Sequence, residues 1–215
     1  MASLIVFIHI PKTGGTSIRV AAEHYFGPKR MLYDYGPEAR LTSKLVKKWI
    51  YKNKDFDGFS HAVSEGKYRF LSGHFPIDKY YGVLQNAAFV SWLREPFSRL
   101  WSAYLHYEKH LGFKGSFEDF YSENRFSNQQ SRLLNNDLDK LDFVGITKHF
   151  RVSLLQLNKQ FGIDLVQHKA NKTKSKINYL PQDEDLSVIR EKNFRDKALY
   201  ELATHRLLKN GYTRS

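Results

Sequence analysis

The chain has 215 residues, 41% of them hydrophobic and 26% charged, a balance that excludes a disordered protein and suits one domain spanning residues 1–215. It has no cysteine, which excludes disulfides, thiolate metal sites and a cysteine nucleophile, and fits a reducing compartment. The formal net charge of +12, from 34 basic against 22 acidic side chains, favours an anionic partner, either a multiply charged small ligand or a nucleic acid.

The N-terminal part of the chain contains an apolar stretch, residues 4–10, that is too short to span a membrane. It lacks the basic leader and the small-residue cleavage site of a signal peptide. We therefore interpret residues 4–9 as a first, buried strand, and we expect a soluble, cytoplasmic protein.

Segments typical of strands and of helices alternate along the rest of the chain. The predicted strands are residues 4–9, 68–72, 87–93, 143–147 and 165–168. The predicted helices are residues 17–25, 43–51, 96–110, 116–123, 128–134, 150–161, 186–193 and 195–209. This alternation predicts an α/β fold with a P-loop-like central parallel sheet of about four or five strands, flanked by helices in a three-layer sandwich. Within residues 27–66, only the helix at 43–51 is predicted.

A glycine-rich loop follows the first predicted strand and carries residue types that bind anions. Backbone N–H groups at a helix N-terminus attract anions, and two adjacent glycines let the backbone approach a ligand closely. A lysine adds positive charge, and three hydroxyl groups add hydrogen-bond donors. The predicted anion-binding residues are Lys12, Thr13, Gly14, Gly15, Thr16 and Ser17, and Thr16 or Ser17 is also the predicted helix cap.

The loop differs from the phosphate loop of nucleotide hydrolases. That loop places its lysine after the last glycine, whereas Lys12 precedes both glycines. The sequence also offers no apolar strand ending in a convincing magnesium-binding aspartate. These features favour an anion site of another kind over an ATP or GTP site, and over a plain strand-to-helix turn.

A second candidate anion site follows the third predicted strand. Arg94 stands at the strand end, and Ser98 and Ser102 lie four residues apart on one face of the next helix. A guanidinium beside a hydroxyl suits a phosphate monoester. The alternative is a surface ion pair between Arg94 and Glu95, with no ligand.

Together the two motifs resemble the phosphate-binding elements of sulfotransferases that use 3′-phosphoadenosine 5′-phosphosulfate (PAPS), in particular the heparan 2-O and related carbohydrate sulfotransferases. HIPKTGGTS, residues 9–17, is similar to the first element of that family. The second element resembles Arg-(Asp/Glu)-Pro-x-x-Arg-x-x-Ser-x-Tyr and includes Arg99 and Tyr104. The stretches LSGHF, NQQSRLL, FVGITKHF and NKTKSK extend the resemblance over most of the chain, with Lys148 where the family commonly has an acid.

The resemblance implies an enzyme that transfers a sulfuryl group from PAPS to an acceptor hydroxyl and releases adenosine 3′,5′-bisphosphate (PAP). It implies that residues 12–17 hold the 5′-phosphosulfate, and that Arg94 and Ser102 hold the 3′-phosphate. Lys12 would meet the charge that develops on the leaving oxygen, and no metal is required. Three late residues would either lie over the nucleotide or form a solvated turn: Lys172, Thr173 and Lys174.

The acceptor hydroxyl must lose a proton, and a neutral imidazole suits that role. His74 follows Gly73 at the end of a predicted strand and matches the Gly-His base of the family, so we choose it as the base over a purely structural role. His9 is interpreted as structural. Glu95 is a weaker candidate, because Arg94 keeps its carboxylate ionised.

Two further groups of polar residues share a helix face. His106 and His110 have a spacing that zinc ligands use, but we interpret them as exposed side chains and predict no metal site. Asn128, Gln129 and Arg132 are candidates to line the acceptor cleft.

Two other functions stay open at this point. A P-loop phosphotransferase or nucleotide-binding protein would bind ATP and need magnesium, and a basic nucleic-acid-binding module would bind with a steep dependence on salt. The sequence contains no nucleic-acid-binding motif that we recognise. For the sulfotransferase, the expected partner is a hydroxyl-bearing carbohydrate or small molecule, with no nucleic acid and no stable membrane insertion. An amine acceptor and the oligomeric state are left open.

Overall fold

A computed structural model describes the backbone of residues 4–167 and 183–212. Within these ranges five strands form one sheet, and every neighbouring pair runs parallel. The strands are β1 (Leu4–Ile8), β2 (Met31–Asp34), β3 (Phe70–Gly73), β4 (Ala87–Leu93) and β5 (Phe143–Ile146), in the spatial order β2-β3-β1-β4-β5.

Helices connect the strands and cover the sheet. They are α1 (Gly15–Phe26), α2 (Lys44–Val46), α3 (Phe56–Glu65), α4 (Pro96–His110), α5 (Phe117–Ser122), α6 (Gln129–Leu133), α7 (Phe150–Phe161), α8 (Asp183–Lys192) and α9 (Phe194–Tyr212). A short π-helix, Lys47–Lys52, continues α2. All residues of the central strand β1 are buried, as expected for a parallel sheet covered on both faces. The predicted α/β fold is confirmed. None of the described helices is both long and apolar enough to cross a bilayer.

The longest apolar runs gave the best predictions of element bounds. β4 and α7 begin and end at the predicted residues. Every residue of β4 after Ala87 is buried, and all but Ser91 are apolar, so the strand stands out in the sequence. α1 begins two residues earlier than predicted, at Gly15.

Two elements in residues 27–66 were not predicted, and one predicted strand is wrong in its described part. β2 is a four-residue edge strand, and α3 follows the π-helix. Described residues of the predicted strand 165–168 are not in a strand. Instead, the side-chain amide of Asn158 bonds both the N–H and the C=O of Leu165, each at 3.0 Å, and takes the place of a strand partner. The predicted basic loop 169–176 lies outside the described residues.

The strand register brings four strand ends to one edge of the sheet. Ile8 at the end of β1 pairs with Gly73 on one side and Ser91 on the other, and Leu93 pairs with Ile146. From β1 the chain first builds β2 and β3 on one side, then crosses to β4 and β5 on the other. Ligands of open parallel sheets bind at the carboxyl edge where the strand order reverses in this way.

Candidate active site

The loop after β1 has the backbone conformation of an anion-binding turn. Lys12 and Gly14 adopt left-handed conformations, with φ of 69° and 92°. Gly14 is the N-cap of α1, and no side chain caps this position. The predicted cap at Thr16 or Ser17 is therefore wrong, because both residues already lie inside the first turn. A helix N-terminus without a capping side chain can offer its N–H groups to an anion.

The two glycines of the loop are required for different reasons. A side chain at Gly14 would be strained by its φ of +92°, although its Cβ would lie an ordinary 3.6 Å from the Phe150 ring. At Gly15 the limit is space, because a Cβ would lie 2.1 Å from Cδ2 of His9. The doublet thus combines one conformational requirement with one packing requirement.

Side chains from three strand ends fix the loop. The buried Thr13 hydroxyl donates to the carbonyl of Ile10 at 2.9 Å. The hydroxyl of Thr147, after β5, bonds the carbonyl of Thr13 at 2.5 Å, and Arg94 donates to the carbonyl of Lys12 at 3.1 Å. The Thr13 hydroxyl was predicted to be a ligand donor, but here its proton is used inside the protein. Only the backbone of Thr13 can line the loop.

Lys12 and Arg94 form a pair of half-buried cations beside the N-terminus of α1. Burial lowers the pKa of both side chains, and the nearby guanidinium lowers that of Lys12 further. In the part of the chain that the structure describes, neither side chain has a carboxylate within salt-bridge distance. Two partly desolvated cations without a salt-bridge partner in the described ranges are candidates to bind an anion.

Gln130 fixes the backbone of Arg94, a role that the sequence did not reveal. Its side-chain amide accepts from the N–H of Arg94 and donates to the C=O of Arg94, each at 2.9 Å. Gln130 is itself fully buried and donates its backbone N–H to Asp196 at 3.2 Å. The NQQSRLL stretch marked this region, but its pattern does not distinguish Gln130 from its neighbours.

Arg99, the second arginine of the Arg94 motif, is a structural residue. Its guanidinium has 0% exposure, donates to Gln129 and to the Phe126 carbonyl at 2.8 and 2.7 Å, and lies 3.9 Å from Asp196 of α9. Burial lowers the pKa of Arg99 to about 10, and the Asp196 carboxylate opposes that shift. Arg99 therefore anchors α4 to α6 and α9.

Glu95 is engaged at the N-terminus of α4 and forms no salt bridge with Arg94. It is the N-cap of α4, and its carboxylate accepts from the N–H groups of Phe97 and Ser98 at 2.9 and 2.7 Å. The alternative of a surface ion pair between Arg94 and Glu95 is therefore wrong. The preference for His74 over Glu95 as the base stays a prediction.

A polar stripe runs along α4 at four-residue spacing and comprises Arg94, Ser98, Ser102, His106 and His110. Ser98, Ser102 and His106 are half-buried, so the interpretation of His106 as exposed is wrong, whereas His110 is exposed. Burial, and then the charge of Lys12, lower the pKa of His106. Because the charge of Lys12 acts on His106, the polar stripe of α4 lies near the loop that contains Lys12. Among the described residues, no three histidine, aspartate or glutamate side chains converge as a metal site would require.

The described hydrogen bonds of His74 involve one ring nitrogen, Nδ1. It follows β3 and is exposed, and its Nδ1 lies 2.5 Å from the carbonyl oxygen of His9. A carbonyl only accepts, so Nδ1 carries the proton, and Nε2 of the neutral ring keeps its lone pair. Desolvation of the ring by the surrounding protein lowers the pKa of His74, although the bond to the His9 carbonyl opposes this shift. The imidazole is thus a neutral base.

His9 and Tyr35 pack around His74. The ring centroids of His9 and Tyr35 each lie 4.7 Å from that of His74. His9 is 7% exposed, and its Nδ1 is 3.0 Å from the hydroxyl of Tyr35, which in turn is 3.2 Å from Oγ of Ser72. Burial, then the charges of His74, Arg19 and Lys12, lower the pKa of His9 to about 3. Tyr35 lies within residues 27–66, and no sequence pattern predicted its role.

The remaining predicted residues are not brought to the cleft by contacts in the structure. Asn128 donates to the carbonyl of Lys192 at 2.8 Å, Gln129 accepts from Arg99, and Arg132 donates to backbone carbonyls. These three side chains connect α6 to its neighbours. Three other predicted ligand residues lie outside the described residues: Lys172, Thr173 and Lys174.

Comparisons with solved structures identify the fold of the chain. No family model matches the chain, and no curated protein matches it significantly. Among solved structures, a sulfotransferase from Alicyclobacillus acidocaldarius superposes with a TM-score of 0.57 and 14% identity, over 94% of this chain and 95% of that one. Mouse sulfotransferase SULT7A1 in complex with PAP gives a TM-score of 0.50 and 16% identity, over 100% of this chain and 86% of that one. The chain has the fold of sulfotransferases.

Proposed function

We propose that the protein is a PAPS-dependent sulfotransferase that transfers a sulfuryl group to the hydroxyl of a carbohydrate or small metabolite. The observation that carries this proposal is the pair of half-buried cations at the N-terminus of α1, Lys12 and Arg94, which form no salt bridge among the described residues. His74 stands at the neighbouring strand end with Nε2 available as a base. An anion site next to a neutral base is what group transfer from an anionic donor to a hydroxyl requires.

The donor fits the chemistry of the two anion sites. The backbone of residues 12–17 and the Lys12 side chain receive the 5′-phosphosulfate, at the uncapped start of α1. Arg94 and Ser102, on the polar stripe of α4, receive the 3′-phosphate through a guanidinium and a hydroxyl. PAP is the ligand named for the mouse neighbour, and PAP is the product that PAPS leaves after transfer.

The transfer step is an in-line displacement at sulfur. The acceptor oxygen forms the new S–O bond as the bond from sulfur to the 5′-phosphate oxygen breaks, and the electron pair of that bond stays with the phosphate. His74 takes the acceptor proton on Nε2. Lys12 stabilises the charge that builds on the phosphate oxygen, and the products are a sulfate ester, PAP and a proton.

Assay of the purified protein with PAPS labelled on sulfur tests the proposal. We expect label to appear in one member of a panel of sugars, glycolipid head groups and hydroxylated metabolites, with PAP formed in equal amount. A parallel assay with ATP labelled on its γ-phosphate and magnesium tests the phosphotransferase alternative. Transfer from ATP and none from PAPS would overturn the proposal.

A further inference from the structure

One nitrogen of the buried His9 side chain has no hydrogen-bond partner within residues 4–167 and 183–212. Nδ1 bonds the hydroxyl of Tyr35 at 3.0 Å, and the hydrogen bonds of those residues do not involve Nε2. His9 is only 7% exposed, so water cannot surround the ring. A ring nitrogen outside the internal hydrogen bonds can be offered to a ligand.

The free edge of the ring faces the start of α1. A Cβ built on Gly15 would lie 2.1 Å from Cδ2 and 2.5 Å from Nε2 of His9. The Cα–Cβ bonds of a helix are tilted toward its N-terminus, so this edge lies beside the N-terminal end of the first turn. That end is the anion site formed by the uncapped helix and Lys12.

A chain of hydroxyl groups lets Nδ1 of His9 act as a hydrogen-bond acceptor. The hydroxyl of Ser72 can donate to that of Tyr35, 3.2 Å away, which leaves the Tyr35 proton for Nδ1 of His9. The bond from Ser72 works to lower the pKa of Tyr35, but burial outweighs it and raises that pKa, so Tyr35 keeps its proton. With Nδ1 as the acceptor, the proton of the neutral imidazole is on Nε2.

We propose that His9 donates a hydrogen bond from Nε2 to an oxygen of the 5′-phosphate group held at the N-terminus of α1. The identity of that group rests on the proposed function. His9 is then a binding residue for the donor rather than a purely structural one. Its neutral ring adds a fixed donor where Lys12 and the helix supply the charge.

His9 remains neutral in this role. Burial is the largest cause of the low pKa of His9, about 3, and the neighbouring cations Arg19 and Lys12 add to it. Tyr35 faces the opposite nitrogen and stays protonated, because burial raises its pKa. The contribution of His9 to nucleotide binding is therefore constant through the range in which an ordinary histidine titrates.

Nucleotide titration of the native chain and of His9→Phe tests the proposal. Phenylalanine keeps an aromatic ring against Gly15 and removes the Nε2 donor. We expect the variant to bind PAP roughly tenfold to a hundredfold more weakly, because hydrogen bonds to charged groups are the strong ones. Affinity for adenosine 3′-monophosphate, which lacks the 5′-phosphate, should change by less than about threefold.

The two nucleotides separate the inference from the proposed function. If the native chain does not prefer PAP over adenosine 3′-monophosphate, the proposed donor site is wrong. If it does, and His9→Phe keeps the same preference, only the role of His9 is wrong. Equal loss for both nucleotides would assign His9 a structural role and overturn the inference.

If His9→Phe does not fold, nitrogen-15 spectra of the histidines in the native chain test the role of His9 instead. We expect His9 to carry its proton on Nε2 and His74 to carry it on Nδ1, so the two rings have opposite tautomers. PAP should shift the Nε2 signal of His9, and adenosine 3′-monophosphate should not. A proton on Nδ1 of His9, or no shift with PAP, would overturn the inference.

Discussion

The Nδ1 atom of His74 donates a 2.5 Å hydrogen bond to the backbone carbonyl of His9. The ring of the same His9 packs against Gly15, the first residue of α1. One residue thus contacts the candidate base through its backbone and the start of α1 through its side chain. The relative position of the candidate base and the N-terminus of α1 is fixed by the pairing of β1 with β3.

Replacing His74 by asparagine should remove the base and keep its anchor. The asparagine amide can still donate to the His9 carbonyl, but it cannot accept a proton from the acceptor hydroxyl. We expect turnover to fall by roughly 10²- to 10⁴-fold, the usual contribution of a general base, with PAP affinity nearly unchanged. Steady-state kinetics and PAP titration measure the two effects. Loss of PAP binding in step with turnover would make His74 a structural residue.

Replacing Lys12 by methionine should stop transfer. Methionine keeps most of the side-chain length, so the main change is loss of the charge beside the leaving oxygen. We expect a loss of roughly 10²- to 10³-fold in turnover, typical of removing one charge-stabilising donor. Lys67→Met is the matched control, because Lys67 also has a left-handed backbone, with φ of 52°, and is exposed on the surface. Equal activity of the two variants would mean that the loop is assigned wrongly.

Replacing Arg99 by methionine should destabilise the fold. The change leaves the Asp196 carboxylate, which has 0% exposure, without its cation. We expect the free energy of unfolding to fall by about 3 kcal/mol or more, the usual cost of breaking a buried ion pair. Arg206→Ala is the control, because its pair with Asp139 is exposed and should contribute less than about 1 kcal/mol. Urea unfolding measures both, and similar small losses would remove Arg99 as the anchor of α4.

His9 should make stability depend on pH in the acid range. Its pKa is about 3 in the folded chain, whereas an unfolded chain has a pKa of about 6.5 for histidine. Below the unfolded value the unfolded state binds a proton that the folded state does not, so the stability from His9 is lost as pH falls from about 6.5 toward 3.

Comparison of the native chain with His9→Phe isolates this effect. The excess stability of the native chain over the variant should decrease by about 2 kcal/mol between about pH 7 and about pH 5, because each unit below 6.5 costs about 1.4 kcal/mol. Urea unfolding at the two pH values gives the difference. A difference that does not change with pH would mean that His9 takes up a proton as readily in the folded state as in the unfolded state.

The sequence predicted most of the sheet because its central strands depend on local patterns. β4 is an apolar run interrupted only by Ser91, and the loop at Lys12 has two glycines after a strand. His74 was predicted as the base from its place after a strand, and that role stays a prediction.

The features that the sequence missed depend on contacts between distant residues. β2 is a short edge strand whose last residue, Asp34, receives bonds from Tyr51, Lys79 and Tyr80 at 2.6, 2.5 and 2.8 Å. A carboxylate paired by partners 17 to 46 positions away leaves no local pattern. The hydrogen bonds between the Gln130 side chain and the backbone of Arg94, 36 positions apart, could not be predicted for the same reason.

Calorimetric titration with PAP and with adenosine 5′-monophosphate tests the central claim most directly. The two nucleotides differ only in the 3′-phosphate, which Arg94 and Ser102 are proposed to bind. The account predicts that PAP binds at least about tenfold more tightly, because a phosphate held by a guanidinium gains a charge-assisted bond. Equal affinity for the two nucleotides would contradict the account.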